Sequence, residues 1–164
     1  MGEKGYRVRG FRSDDLNRVM AINEECLPEN YSSFFYRDLY QRFPKTFVVA
    51  EADGNIQGYI MCRIERGLSK LKSFRTSRLC HVVSIAVREA YRRRGIATAL
   101  MHMAMENGRN EYGAAECFLE VRLGNHAAIK LYEGLGFTNV NRKLRYYLDG
   151  EDAWVMAKAL EEET

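Results

Sequence analysis

A chain of 164 residues, 46% hydrophobic and 29% charged, has the size and balance of one compact domain, residues 1–164, able to bury a core. Its apolar stretches, such as Phe47 to Ala50 and Ile85 to Val87, fall far short of the roughly 20 residues that span a bilayer. The net charge of +3 is modest and uneven: between Arg63 and Arg94 basic residues far outnumber Glu65 and Glu89, while Glu161-Glu162-Glu163 close the chain, a pattern that fits a local anionic ligand better than whole-surface nucleic-acid binding.

Met1 to Tyr6 lacks an apolar signal core, and Tyr6 stands where a myristoylation signal wants Ser or Thr, so a cytoplasmic location is expected. Cys26, Cys62, Cys80 and Cys117 form no CxxC pair and have apolar neighbours. They read as core thiols rather than a zinc cluster or a disulfide framework.

Taken in chain order, Tyr6 and Val8 alternate with Arg7 and Arg9 as a first strand with one polar face. Ser13 is positioned to cap a helix with Asp14 and Asp15 in its first turn and Leu16, Val19, Met20, Asn23 and Leu27 along one side, stopping near Pro28. An aromatic-rich helix follows over 32–42. Phe47 to Glu51, Asp53-Gly54 and Ile56 to Cys62 form a hairpin signal, because Asp-Gly supplies the positive φ angles of a tight primed turn. Gly67 to Arg78, polar and basic without period, reads as a mobile loop. Beyond it the pattern predicts a buried strand over 80–87, a helix over 96–106, a strand over 118–121, a short helix over 125–132 ended by Gly134 and Gly136, and closing strands over 142–148 and 153–157. The order is β, α, α, β, β, β, α, β, α, β, β.

The informative stretch is Val83-Ser84-Ile85-Ala86-Val87, a five-residue spacer, then Arg93-Arg94-Gly95-Ile96-Ala97 entering a helix. A strand that runs into a glycine turn and a helix N-terminus offers free N–H groups and a positive dipole end to a pyrophosphate. Gly95 removes the side chain that would block close approach. Alone, Arg92, Arg93 and Arg94 could equally be a solvated surface patch. A second signature follows at Asn125-His126-Ala127-Ala128-Ile129-Lys130-Leu131-Tyr132-Glu133-Gly134-Leu135-Gly136-Phe137, which alone could be no more than a capped amphipathic helix.

Together the two segments resemble the GNAT acetyltransferase superfamily: the first is its RxxGxA pyrophosphate loop, with Arg92, Gly95 and Ala97 at the pattern positions, and the second its N-x-x-A-x-x-L-Y-x-x-x-G-F motif. Within that superfamily, Leu27 to Tyr31, His81 to Val87 and Tyr146 to Ala153 are similar to the catalytic subunits of N-terminal acetyltransferases, above all the stand-alone archaeal enzymes, over about residues 6–160. Ala97 in place of a second loop glycine, and Leu148 where close relatives often have alanine, are departures that leave the chemistry intact.

The resemblance implies an α/β (α+β) fold: a single GNAT domain with a mixed, mostly antiparallel sheet of about seven strands flanked by four helices and splayed between its fourth and fifth strands. It implies acetyl-CoA as cosubstrate, held by Val83, Ser84, Ile85, Tyr91, Arg92, Arg93, Arg94, Gly95, Ile96, Ala97, Asn125, Tyr132, Glu133 and Gly134. It also implies an acceptor peptide groove walled by Leu27, Glu29, Tyr31, Tyr146 and Tyr147. An α-amine, with a reference pKa near 8 against about 10.4 for lysine, is already about a tenth neutral at pH 7, so a weak base suffices. Glu120 is the expected base through water, His81 on the neighbouring strand its partner, and Tyr132 the donor to the departing thiolate. Glu29 is assigned first to substrate recognition and second to base catalysis. His81 and Glu120 also make a two-ligand candidate for an adventitious zinc ion. His102 and His126 read as solvent-facing.

The acceptor is expected to be a free protein N-terminus, including nascent chains at the ribosome, with no auxiliary subunit or membrane. The alternatives are a lysine or small-amine acetyltransferase, a ribosome- or nucleic-acid-binding module using Lys70, Lys72, Arg75, Arg78 and the arginine triplet, or a coenzyme A sensor without catalysis.

Overall fold

The computed structural model describes residues 5–160. The acidic run Glu161-Glu162-Glu163 lies outside them, as do residues 1–4. One seven-stranded sheet organises the chain, in the order β1-β2-β3-β4-β5-β7-β6. Its strands are β1 (Arg7–Gly10), β2 (Phe47–Ala52), β3 (Asn55–Leu68), β4 (Thr76–Val87), β5 (Glu116–Arg122), β6 (Thr138–Lys143) and β7 (Ala153–Ala159), and the helices are α1 (Leu16–Cys26), α2 (Ser33–Arg42), α3 (Ile96–Tyr112) and α4 (His126–Gly134). All neighbouring pairs are antiparallel except β4 and β5. The element order and mixed sheet agree with the sequence pattern. No described helix is long and apolar enough to cross a membrane.

The core forms on both faces. Leu100, Met101 and Ala104 of α3 and Tyr132 of α4 pack with Val48, Ile60, Cys62 and Leu119. On the opposite face Val19, Ile22, Tyr36 and Leu39 from α1 and α2 pack with Phe47, Val49, Tyr59 and Met61. Each fully buried side chain of this size contributes roughly 1.5–3 kcal/mol. A third, smaller cluster joins Leu79, Phe118, Val155 and Ala157.

The Asp53-Gly54 turn is as predicted, with φ of 52° and 77° at its two central residues. Ser32 caps α2 by accepting from the Phe35 amide, and Asn125 caps α4 by accepting from the Ala128 amide.

Several expectations need correction. Ser13 does not cap α1. It begins a 3-10 turn, Ser13–Asp15, in which the Asp15 carboxylate accepts the Arg12 amide at 2.8 Å and two bonds from Arg9 at 2.7 and 2.9 Å. Gly67 to Arg78 is no mobile loop: β3 and β4 continue as a ribbon, pairing Arg66 with Arg78 and Leu68 with Thr76, and only residues 69–75 turn. Buried Glu116 ties that turn down by accepting from Ser69 and from the Lys70 amide. The helix predicted to end at Glu106 runs to Tyr112 and ends at Gly113, φ 69°; Gly108 inside it packs closely, since a Cβ there would lie 3.2 Å from the Cys80 sulfur. Residues 144–148 form the β6–β7 loop and not a strand. Cys62, Cys80 and Cys117 are buried thiols as expected, whereas Cys26 is half-buried with its Sγ facing the Val87 carbonyl.

Candidate active site

The site arises from a defect in the sheet. β4 and β5 pair only from Leu79 to His81 with Glu116 to Phe118, after which they diverge and leave the β5-facing backbone of Val82 to Val87 without a ladder partner in β5. On the β3 side the register steps from Met61 opposite Ser84 to Cys62 opposite Val82, so Val83 is the extra residue of a bulge. The Val83 carbonyl is taken by the Tyr31 hydroxyl, and the rest of the β5-facing backbone of this stretch, unpaired by β5, is placed to meet a ligand. The cleft that opens has a volume of about 460 Å³, with Val82 to Ile85 on one wall and Leu119 to Arg122 on the other. Leu27, Glu29 and Tyr31 close one side, Tyr146, Tyr147 and Leu148 the other, and Asn125, Ala128 and Tyr132 the end nearest α4.

Of the predicted acid–base groups, Glu120 lines this cleft, and His81, outside the lining, contacts it. His81 Nε2 lies 2.8 Å from Glu120 Oε2, and the ring stacks on Phe118 with centroids 4.3 Å apart. Side-chain exposure is only 10% for His81 and 7% for Glu120, so their contact is largely shielded from water. Lys143 Nζ stands 3.7 Å from Glu120 Oε1. Burial alone would lower the His81 pKa, but the hydrogen bonds and charges of Glu120 and Glu65 outweigh it and raise it above the ordinary value. Both ring nitrogens are engaged, Nδ1 by Glu65 at 2.8 Å, and among the described residues no group of three or more His, Cys, Asp or Glu is placed to hold a metal ion.

Glu29 does not stand free. Its Oε1 accepts from Arg122 Nη2 at 2.6 Å, and the same guanidinium binds Asp149 at 2.8 Å and Glu151 at 3.0 Å while lying 3.9 Å over the Tyr147 ring. Arg122 thus ties the loop after α1 to the β6–β7 loop across the cleft. Beneath the first loop, Asn23 donates to the Glu29 carbonyl and to Tyr59 Oη, both at 3.0 Å, and Tyr59 Oη bonds Ser84 Oγ at 2.7 Å. Tyr31 Oη donates to the Val83 carbonyl at 3.4 Å, and its ring stacks on Phe35. Burial pushes the Tyr132 phenol up to about 12, so it stays protonated at neutral pH. Tyr146 is likewise pushed up to about 12, by burial first and then by the charge of Glu120.

The pyrophosphate-loop residues stand outside this cleft, at the start of α3. Gly95 has φ of 85° and Arg93 φ of 63°, which turn the chain sharply so that the first amides of α3 face outward. Arg92 donates from Nε to the Val87 carbonyl at 2.8 Å, bracing the loop against the end of β4. Arg94 lies 5.0 Å over the Tyr91 ring, and Tyr91 donates to Asp53 at 2.8 Å. Ile96 is buried, Ala97 half-buried, and Arg93 and Arg94 are exposed. This cradle suits a pyrophosphate: amides, a dipole and cations converge where glycine leaves no side chain. Glu133 and Gly134, at the far end of α4, are exposed and line no part of the cleft. His102 and His126 are exposed.

Sequence reasoning missed Arg122, Glu65, Tyr59 and Asn23. Arg122 is separated by 93 positions from Glu29, so no local spacing signals the pair. Glu65 has a weak signal: it alternates with Arg63 on the face that His81 shares.

The splayed mixed sheet, the bulge and the amide cradle define an acyl-coenzyme A-binding transferase fold. The chain belongs to the GNAT acetyltransferase family, whose model matches residues 16–137. It is 48% identical over 158 residues to an N-alpha-acetyltransferase of Sulfurisphaera tokodaii, covering 96% of this chain and 95% of the relative. Among solved structures it is similar to Ard1 from Thermoplasma volcanium, with a TM-score of 0.82 at 28% identity, covering 96% and 99% of the two chains. It also resembles Chaetomium thermophilum Naa20 in complex with a bisubstrate analogue, with a TM-score of 0.81 at 32% identity, covering 93% and 86%.

Proposed function

We propose that this chain transfers the acetyl group of acetyl-CoA to the free α-amino group of protein N-termini, with Glu120 and His81 as its acid–base pair. The observation that carries the reading is Glu120, which lines the cleft and is backed by a shielded contact with His81, while Arg122 clamps the opposite rims, the α1–α2 and β6–β7 loops. The S. tokodaii relative and the Naa20 complex with a bisubstrate analogue support the same substrates.

The amine enters largely protonated and gives its proton to the Glu120–His81 pair, directly or through a held water; the neutral nitrogen then attacks the thioester carbon. The β5-facing backbone from the Val83 bulge to Ile85 positions the acetyl carbonyl and the thiol arm, while the turn at Arg93 to Ala97 with the first amides of α3 receives the pyrophosphate. Tyr132, protonated and facing the cleft, donates to the leaving thiolate. Glu29, held by Arg122, offers a carboxylate to the terminal ammonium, and Tyr31, Tyr146 and Tyr147 narrow the groove against a lysine in mid-chain. The enzyme acts alone in the cytoplasm, on completed or nascent chains.

Coenzyme A release is measured with three peptides, initiated by Ser, by Met, or blocked at the terminus with an internal lysine. Turnover on the first two alone, reduced at least about a hundredfold in Glu120→Gln with acetyl-CoA binding intact, is expected. Turnover confined to the blocked peptide makes the chain a lysine acetyltransferase.

A further inference from the structure

We propose that Glu65 of β3 is a positioning residue for the reaction, fixing the tautomer and orientation of His81. The inference rests on the assignment of His81 and Glu120 to acid–base work. Glu65 Oε1 lies 2.8 Å from His81 Nδ1 on the side of the ring away from Glu120. A carboxylate can only accept, so with both ionised each ring nitrogen carries hydrogen; when the ring gives up one proton, Glu65 keeps the other at Nδ1 and the lone pair appears at Nε2, facing Glu120. Without Glu65 a ring that has given up one proton would keep the other on Nε2, toward Glu120, and leave an idle lone pair at Nδ1 turned outward.

Glu65 is itself held. Arg63 Nε donates to the same oxygen at 2.6 Å, and burial, which would raise the carboxyl, is outweighed by Arg63 and His81, which keep it below its ordinary value. The remaining charged groups around the ring come from other elements: Glu120 on β5, Lys143 on β6 beside Glu120, and Lys70 from the β3–β4 turn, 4.6 Å over the Phe118 ring on which His81 stacks. None of them reaches Nδ1 in place of Glu65. Side-chain exposure rises along the chain from 7% at Glu120 to 10% at His81 and 32% at Glu65. The same residue that orients the ring therefore stands at the wet end of the contact series, where a proton taken from the buried pair is exchanged with solvent.

The test combines kinetics with a ring signature. Long-range nitrogen–proton NMR of His81 in native protein is expected to show protonated Nδ1, retained in Glu65→Gln, whose amide oxygen still accepts, and lost in Glu65→Leu. With acetyl-CoA and a Ser-initiated peptide, kcat falls on the order of tenfold in Glu65→Leu, as when a functional histidine loses its orienting partner. It falls by no more than about threefold in Glu65→Gln, and KM for both substrates holds. A native ring signature in Glu65→Leu, or a rise in KM with kcat unchanged, overturns the proposal. Glu65→Ala carries the same test if the leucine variant does not fold. The signature is read without acceptor, so it separates this proposal from the choice of N-terminal substrate: a tautomer controlled by Glu65 in a protein inactive on N-termini would indict the acceptor assignment alone.

Discussion

Burial suits Tyr132 to the donor role proposed for it. A phenol near 10 would stay mostly protonated anyway; pushed up to about 12, it cannot ionise in the working range and remains a donor. Tyr132→Phe keeps the packing against Phe137 and removes only the hydroxyl. A fall in kcat of about tenfold with KM for acetyl-CoA unchanged is expected, measured by coenzyme A release. Arg122 works differently, because it touches two loops. Its loss leaves Glu29, Asp149 and Glu151 facing one another without a cation. Arg122→Met, which preserves the aliphatic stem, should raise the acceptor KM about tenfold and leave the affinity for acetyl-CoA intact; calorimetry on acetyl-CoA and peptide titrations separate the two. An equal loss of both would mean that Arg122 holds the sheet and not the peptide groove.

At the scale of elements, the entry to α1 rests on Asp15. Burial would raise its carboxyl, but hydrogen bonds from Arg9 and the Arg12 amide outweigh that and hold it below the ordinary 3.8. A depressed folded pKa means stability present above 3.8 and lost as the pH falls through the lower folded value. Asp15→Asn should therefore cost about 2 kcal/mol at pH 7, with the gap from native closing in strong acid, read by urea unfolding at several pH values. This contact was not legible in the sequence, where Ser13 looked like the cap, because Arg9 reaches Asp15 from another element. The Ser32 cap was not named; the Asp53-Gly54 turn and the Asn125 cap, which depend on adjacent residues, were legible, as was the meeting of His81 with Glu120. The ribbon from Leu68 to Thr76 was not, since with neither face fully buried it shows no alternation, and the β6–β7 loop, rich in Leu and Tyr, carried a strand-like composition into a turn.

Across the whole molecule, function depends on an incomplete join. Only Leu79 to His81 and Glu116 to Phe118 bond β4 to β5, so the two parts of the sheet meet through three residue pairs before separating around the cleft. A ligand that enters the split and also binds the start of α3 bridges both parts, and acetyl-CoA should stabilise the fold beyond the contacts it makes with either one. At a hundred times its dissociation constant the linkage term is about 2.7 kcal/mol, or roughly 5–10 °C in melting temperature for a chain of this size. Gly95→Ala isolates the cradle: a Cβ would meet only the Tyr6 hydroxyl at 3.5 Å, an ordinary contact, so the cost is the left-handed φ of 85°. This variant should melt a few degrees lower without ligand and lose most of the acetyl-CoA shift, because the turn must change shape or carry the strain. Should the full shift survive in Gly95→Ala but vanish when Arg93 and Arg94 are replaced by Ser, the arginine charges rather than the amide turn would be what holds the pyrophosphate, and affinity would then fall steeply with salt.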